Sequence, residues 1–199
     1  ECGLMSARAT ASAMLGIATN HSRKTRVNDS SNASAQNAWF ALGENFAALL
    51  RNSSEKETDP ADLANVWYAH AAVGVSPKSE NLKLLQLATA SAAPLMAARH
   101  VSTIVYAYAK LGLTSTETSE GFLKAMSSAA TRIALKDEMN AQNIAQTLWA
   151  FSSIAVVSGD QNVMELSNCT RALWDAAREL DVRSTLEVTL CTFFHAHLM

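Results

Sequence analysis

Hydrophobic and polar positions alternate with helical spacing in three stretches of the chain, which begin near residues 61, 100 and 140. In each stretch apolar side chains recur at steps of three and four residues, the period of one buried face of an α-helix. The three stripes are Leu63, Val66, Trp67, His70 and Val73; Val101, Ile104, Val105, Tyr108 and Leu111; and Ile144, Leu148, Phe151 and Ile154. The pattern predicts three amphipathic helices.

The three stretches share one register. The equivalent positions are Asn65 with Thr103 and Gly74 with Gly112, and both pairs have a spacing of 38 in the numbering. The third stretch aligns Thr103 with Gln146 at the longer spacing of 43, which predicts a short insertion in the loop at 136–139. A weaker fourth copy begins at Asp181, which follows Asn143 at the first spacing again. The equal spacings indicate a repeat.

Residues that favour helix ends lie on either side of these stretches. Asp59, followed by Pro60, and Asn140 are good N-cap residues, while Gly74 and Gly112 stand where a helix is expected to stop. Partner helices are predicted between the repeats at 35–50, 81–93, 120–135 and 163–180, and an earlier first helix at 7–20. The Ser/Asn-rich basic segment 21–34 is predicted to be a loop.

A helix pair of this kind cannot bury its apolar face alone, so the pairs must stack. The sequence therefore predicts an all-α protein, an α-solenoid of helix-turn-helix repeats with a period of about 38 residues. Residues 1–199 form a single domain in this interpretation. Its parts are a degenerate first repeat at 1–59 with the loop insertion at 21–34, repeats at 60–96, 97–138 and 139–179, and the start of a further repeat at 180–199.

Composition narrows the function classes. Of 199 residues, 49% are hydrophobic, which suffices for a sizeable core. Lys and Arg total 16 against 18 Asp and Glu, a formal charge of −2, which counts against nucleic-acid binding by bulk charge. The three cysteines have no metal-ligand spacing, and no apolar run approaches the roughly 18 residues of a membrane span. No catalytic motif is present, so we expect no enzyme, cofactor, metal, small-molecule substrate or membrane.

The motif D/N-L/I-A-x-x-apolar-aromatic-A at a period of 38 resembles the octotricopeptide repeats of organellar proteins and the heptatricopeptide repeats that accompany RAP domains. It is carried by residues 61–75, 100–113 and 140–156. The resemblance implies binding of single-stranded or ribosomal RNA in a mitochondrion or, alternatively, a plastid. The implied roles are RNA stability, processing or translation, or a place as an rRNA-binding component of a mitochondrial ribosome.

Polar residues that change from repeat to repeat stand beside each apolar stripe. They are Asp62, Asn65, His100, Thr103, Asn143, Gln146, Asp181 and Ser184. Such side chains can read base edges in RNA-binding solenoids, while Arg and Lys bind the phosphates. The basic candidates are Arg23, Lys24, Arg26 and Arg99. The alternative interpretation is that the polar residues satisfy backbone N–H groups in the first turns of their helices.

A protein-interaction scaffold within a larger organellar complex is the second functional hypothesis, since the same fold and the charge of −2 suit a protein partner. Basic residues converging on the surface of Asn65, Thr103 and Gln146 would favour RNA, and a neutral or acidic surface would favour the scaffold. Four aromatic residues are predicted to pack in the core: Trp67, Tyr106, Tyr108 and Trp149. His70 is predicted to be a core histidine with a hydrogen-bond partner.

Overall fold

The computed structural model describes residues 5–24, 32–52, 58–113, 121–158, 163–180, 189, 191–192 and 195–196. These residues are helical or lie in turns, and no strand occurs among them. The helices are α1 (Ala7–Lys24), α2 (Asn32–Asn52), α3 (Pro60–Val73), α4 (Ser79–Ala92), a 3-10 turn (Ala93–Leu95), α5 (Ala98–Lys110), α6 (Phe122–Ala134), α7 (Ala141–Ser158) and α8 (Val163–Arg178). The predicted all-α class is confirmed.

The helices form two layers. In the first layer α1, α3, α5 and α7 pack side by side in that order, and in the second layer α2, α4, α6 and α8 do the same. Consecutive helices also pack across the layers as pairs. Beyond α8, Ala196 is buried and its carbonyl accepts a hydrogen bond from Ser152 Oγ at 3.4 Å, so the chain returns to α7.

The helix ends follow the capping residues found in the sequence. Asp59 Oδ1 accepts the Ala61 N–H at 2.8 Å, and Asn140 Oδ1 accepts the Asn143 N–H at 2.9 Å. Gly74 has φ 74°, a left-handed conformation that glycine adopts without steric cost, and its N–H donates to the His70 carbonyl. The caps predicted at Asp59, Asn140 and Gly74 are therefore confirmed.

The predicted loop at 21–34 was too long at both ends. Helix α1 continues to Lys24 and α2 begins at Asn32, so helix enters the segment from either side. Arg and Lys are good helix formers, which explains how α1 extends through the basic residues. Residues 25–31 lie outside the described part of the chain. The inserted loop predicted at 136–139 lies between α6 and α7, as expected.

The three predicted apolar stripes form the core between the layers. Leu63, Val101 and Ile144 are at most 1% exposed, and the positions one turn further along are equally buried. Ala69, Ala107 and Ala150 occupy equivalent positions in α3, α5 and α7, and each is 0% exposed. Small side chains there let neighbouring helices approach closely without leaving voids.

Trp67 of α3 contacts three other helices in the middle of this core. Its Nε1–H donates to Thr89 Oγ1 of α4 at 3.0 Å, so its one polar atom is satisfied. The indole also lies 5.8 Å from the ring centroids of both Tyr108 in α5 and Phe122 in α6. The core placement predicted for Trp67 and Tyr108 is confirmed, since both are fully buried.

His70 is buried on the same face and has a defined partner, as predicted. Its Nδ1 lies 2.6 Å from the Val75 carbonyl oxygen, which accepts the ring proton. Trp39 packs edge-on against the ring, with 5.0 Å between the two ring centroids. Burial lowers the pKa of His70 to about 4, and the hydrogen bond to Val75 only partly opposes this shift. The histidine is therefore neutral in the folded protein at neutral pH.

Within the described ranges, no helix has both the length and the apolarity of a membrane span.

We expect Trp67→Ala to destabilise the protein by about 3–5 kcal/mol, because it leaves a cavity among α3, α4, α5 and α6. Urea unfolding followed by circular dichroism measures the loss. The neighbouring Tyr68, 43% exposed, is the matched control, and Tyr68→Ala should cost far less. Equal losses in the two variants would contradict the central place of Trp67.

We expect His70 to make the protein sensitive to acid. The unfolded chain takes up a proton on this residue near its ordinary pKa of 6.5, whereas the folded chain does so only near 4. The neutral His70 ring contributes to the free energy of unfolding fully above pH 6.5, and this contribution is lost as the pH falls through 4. The loss is about 3 kcal/mol. Urea unfolding between pH 7 and 4 should show a shallower decrease in His70→Leu than in the parent protein; identical slopes would show that His70 is not responsible.

Candidate nucleic-acid interface

An open groove lies between α3 and α5 on the surface of the first layer. Its volume is about 490 Å³, within the range of small-molecule binding sites. The lining residues are Leu15 from α1, Ala61, Ala64, Asn65 and Tyr68 from α3, and Arg99, His100 and Thr103 from α5. We call this the α3–α5 groove. It brings together four residues that the sequence proposed separately: Asn65, His100, Thr103 and Arg99.

The polar groups of the α3–α5 groove are available to a ligand. Asn65 and Thr103 are half-buried, and neither side chain has a hydrogen-bond partner among the described residues. The Arg99 side chain is exposed, and no carboxylate in the described ranges lies within ion-pair distance of it. The groove therefore offers an amide, a hydroxyl and a guanidinium side by side.

His100 contributes no charge to the groove at neutral pH. Burial lowers its pKa, and the Arg99 cation lowers it further, while Asp59 opposes the shift. The ring contacts the Ala97 N–H through Nδ1 at 3.3 Å and Arg99 Nε through Nε2 at 3.0 Å. A neutral imidazole can accept at only one of these nitrogens at a time, so the ring links either to the start of α5 or to Arg99.

Asp62 does not line the groove. It is only 5% exposed, and its carboxylate lies 3.9 Å from Arg8 Nε, while Arg8 makes a closer ion pair with Asp59 at 2.8 Å. Burial raises the pKa of Asp62, the neighbouring Asp59 raises it further, and Arg8 partly opposes both. The two carboxylates and Arg8 join the start of α3 to α1, so the interpretation of Asp62 as a base-reading residue loses its support.

Asn143 and Gln146 lie on α7, beyond the groove. Asn143 Nδ2 donates to Ser102 Oγ of α5 at 3.0 Å, so this amide connects two helices of the first layer. Gln146 is half-buried and has no side-chain partner in the described part of the protein. The structure thus separates the two: Asn143 is engaged in packing, whereas Gln146 is available.

Five remaining candidates cannot be placed in the interface. Arg26, Asp181 and Ser184 lie outside the described residues. Arg23 and Lys24 belong to the last turn of α1, but their side chains also lie outside the described part.

Arg132, a further basic residue, belongs to the second layer and is structural. It donates to the carbonyls of Met96 at 3.0 Å and Ala93 at 3.4 Å. Its guanidinium therefore holds the turn that precedes α5, away from the groove.

An aromatic column stands at the aromatic position of the sequence motif. Tyr68, Tyr106 and Trp149 occupy equivalent positions, each three residues after Asn65, Thr103 and Gln146. Residues three apart share a helix face, so each ring lies on the same face as the polar residue before it. Tyr68 is exposed and the other two are half-buried, so the predicted core placement of Tyr106 and Trp149 was only partly right. Both rings lie at the edge of the core.

Other chemistry is not assembled in the described ranges. No three His, Cys, Asp or Glu side chains there are close enough to hold a metal ion. Cys169 is buried, and burial raises the pKa of its thiol to about 11, which keeps it protonated and unreactive.

Comparison with known proteins gives no assignment: no protein-family model, no curated protein and no solved structure matches the chain.

We expect Asn143→Ala to lower the free energy of unfolding by about 0.5–1.5 kcal/mol, because it removes the hydrogen bond that joins α7 to α5. Gln146→Ala, one turn further along the same helix, is the matched control and should change stability little. Urea unfolding of both variants measures the difference. A loss confined to Gln146→Ala would contradict the structural role of Asn143.

Proposed function

We propose that this chain is an α-solenoid with a repeat of about 38 residues that binds single-stranded RNA on its first layer. The repeat is supported by the helix starts: Pro60 and Ala98 have a spacing of 38 in the numbering, and Ala98 and Ala141 a spacing of 43. It is also supported by the contacts, because each helix packs on the equivalent helix of the neighbouring repeat. The return of the chain to α7 near Ala196 fits the start of a further repeat.

The observation that carries RNA binding is the α3–α5 groove. Asn65 and Thr103 have hydrogen-bonding groups without partners in the described part of the protein, and such groups can pair with base edges. Arg99 adds a cation without a carboxylate partner among the described residues, as phosphate binding requires. Neutral groups would be enough to bind an extended peptide, so the Arg99 cation is the feature that favours RNA over a peptide.

The charge distribution supports the same assignment. The helices of the first layer contain five basic residues and one acidic residue, Asp62, although the whole chain has a formal charge of −2. The second layer contains six basic and four acidic residues. The described cation at the groove is Arg99, so the predicted convergence of basic residues is modest. One further acid, Asp59 at the start of α3, acts on the pKa of His100 in the groove and is paired with Arg8.

The resemblance to octotricopeptide and heptatricopeptide repeats is the ground for proposing an organellar RNA. The compartment would be a mitochondrion or, alternatively, a plastid. The RNA would be a transcript whose stability or translation the protein controls, or the ribosomal RNA of an organellar ribosome.

A protein-interaction scaffold is the second candidate, and three exposed leucines favour it. Leu87 in α4, Leu95 in the 3-10 turn and Leu135 just beyond α6 are 55%, 77% and 76% exposed. Exposed apolar side chains occur at many protein contacts. None of the three belongs to a first-layer helix, so one chain could bind RNA on the first layer while a larger complex holds it elsewhere.

We expect the protein to bind a fluorescein-labelled RNA 12-mer with an affinity that decreases as salt rises. Arg99→Ala should weaken binding and reduce the slope of log Kd against log salt concentration by about 0.7, the value for one phosphate of a single strand. Fluorescence anisotropy at four salt concentrations measures both. Lys83→Ala, which removes an exposed lysine from the second layer, is the matched control and should change neither.

Two results would contradict the proposal. One is the absence of salt-dependent RNA binding by the parent protein. The other is co-purification from the native source with protein partners that nuclease treatment leaves unchanged, with no RNA recovered, which would favour the scaffold.

A further inference from the structure

The ring of Tyr68 is available in the α3–α5 groove. Tyr68 is 43% exposed, and no other aromatic ring of the described residues contacts it. It lies three residues after Asn65, so its ring and that amide share one face of α3. An exposed aromatic face beside polar groups that lack partners is the combination that binds an unstacked nucleobase.

The equivalent position in the next repeat is occupied by the protein itself. The ring centroids of Tyr106 in α5 and Trp149 in α7 lie 5.1 Å apart, so each ring covers part of the other. The hydrogen bond from Asn143 to Ser102 closes the same helix interface one turn earlier. Among the described residues, the aromatic rings of this interface are therefore paired with each other, and the polar side chain left without a partner there is Gln146.

The difference between the two interfaces follows from the side chains at their base. The α3 wall of the groove contains Ala61 and Ala64. The equivalent residues of α5, in the repeat register, are Arg99 and Ser102. Alanines leave space between α3 and α5, whereas Ser102 bonds across to α7. The pair of alanines in the wall of the groove is thus not repeated in α5.

We propose that the α3–α5 groove binds a single nucleobase of the RNA, stacked on Tyr68, and that the α5–α7 interface binds none. This inference rests on the proposed RNA-binding function. Asn65 and Thr103 would pair with the edge of the base, and Arg99 would bind an adjacent phosphate. The described repeats together then bind one nucleotide at this surface, and not one nucleotide per repeat.

The experiment uses three labelled RNA 12-mers: one with abasic riboses throughout, one with a single central adenine, and one with twelve adenines. Anisotropy titrations compare the parent protein with Tyr68→Ala and Tyr68→Phe. Phe40→Ala is the matched control, because Phe40 is 50% exposed and lies on α2 of the second layer. Circular dichroism melts establish that each variant is folded.

We expect Tyr68→Ala to weaken binding of the single-adenine RNA by about 5- to 150-fold, the range for loss of one base–aromatic stack. Tyr68→Ala should bind the twelve-adenine RNA no more tightly than the single-adenine RNA, because no second base is stacked. Binding of the abasic RNA and the salt slope should not change, since stacking is not ionic. Tyr68→Phe should retain binding within about twofold, because its ring still stacks.

The outcomes separate this inference from the function on which it rests. If the parent protein binds none of the three RNAs, the proposed function is wrong, and the stacking site is wrong with it. If it binds them but Tyr68→Ala binds equally well, only the stacking site is wrong. If Tyr68→Ala binds the twelve-adenine RNA markedly more tightly than the single-adenine RNA, a second base is bound elsewhere, and the claim that a single base is bound is overturned.

Discussion

Close packing of α3 against α5 and of α5 against α7 is the constraint on which the rest of the structure depends. Ala69, Ala107 and Ala150 of these helices are fully buried, and such small side chains let helices approach closely. With these alanines buried, the residues on either side point in different directions, because successive residues are about 100° apart around a helix. The residue after each alanine enters the core, and the aromatic residue before it lies at the surface of the first layer.

Helix geometry fixes these directions, but it does not fix what each position does. Of the three aromatic residues that precede the alanines, one ring is exposed and the other two contact each other. The outcome depends on the neighbouring helix: the α3–α5 interface has alanines at its base, and the α5–α7 interface has a serine bonded to Asn143. The exposure of an aromatic residue on these helices therefore depends on the helix beside it.

The sequence predicted the helices, their caps and the core stripes well, because these depend on residues close together in the chain. Asp59 and Asn140 cap the starts of their helices and Gly74 caps the end of α3, in each case through a local hydrogen bond. The sequence predicted the candidate site less well, because the exposure of a side chain depends on residues that are distant in the chain. Asp62 is buried against Arg8 of α1, and Asn143 bonds to Ser102 of α5, so each partner lies in another helix. No periodicity within one helix contains that information.

The same distinction between local and global properties applies to charge. A formal charge of −2 on the whole chain argued against nucleic acid, yet the helices of the first layer contain a single acidic residue. Charges separated by more than about 8–10 Å in physiological salt are largely screened. A ligand in the α3–α5 groove is therefore affected by Arg99 and by the groups next to it, and acids of the second layer influence it little. The charge near the groove, and not the charge of the chain, is the quantity that bears on RNA binding.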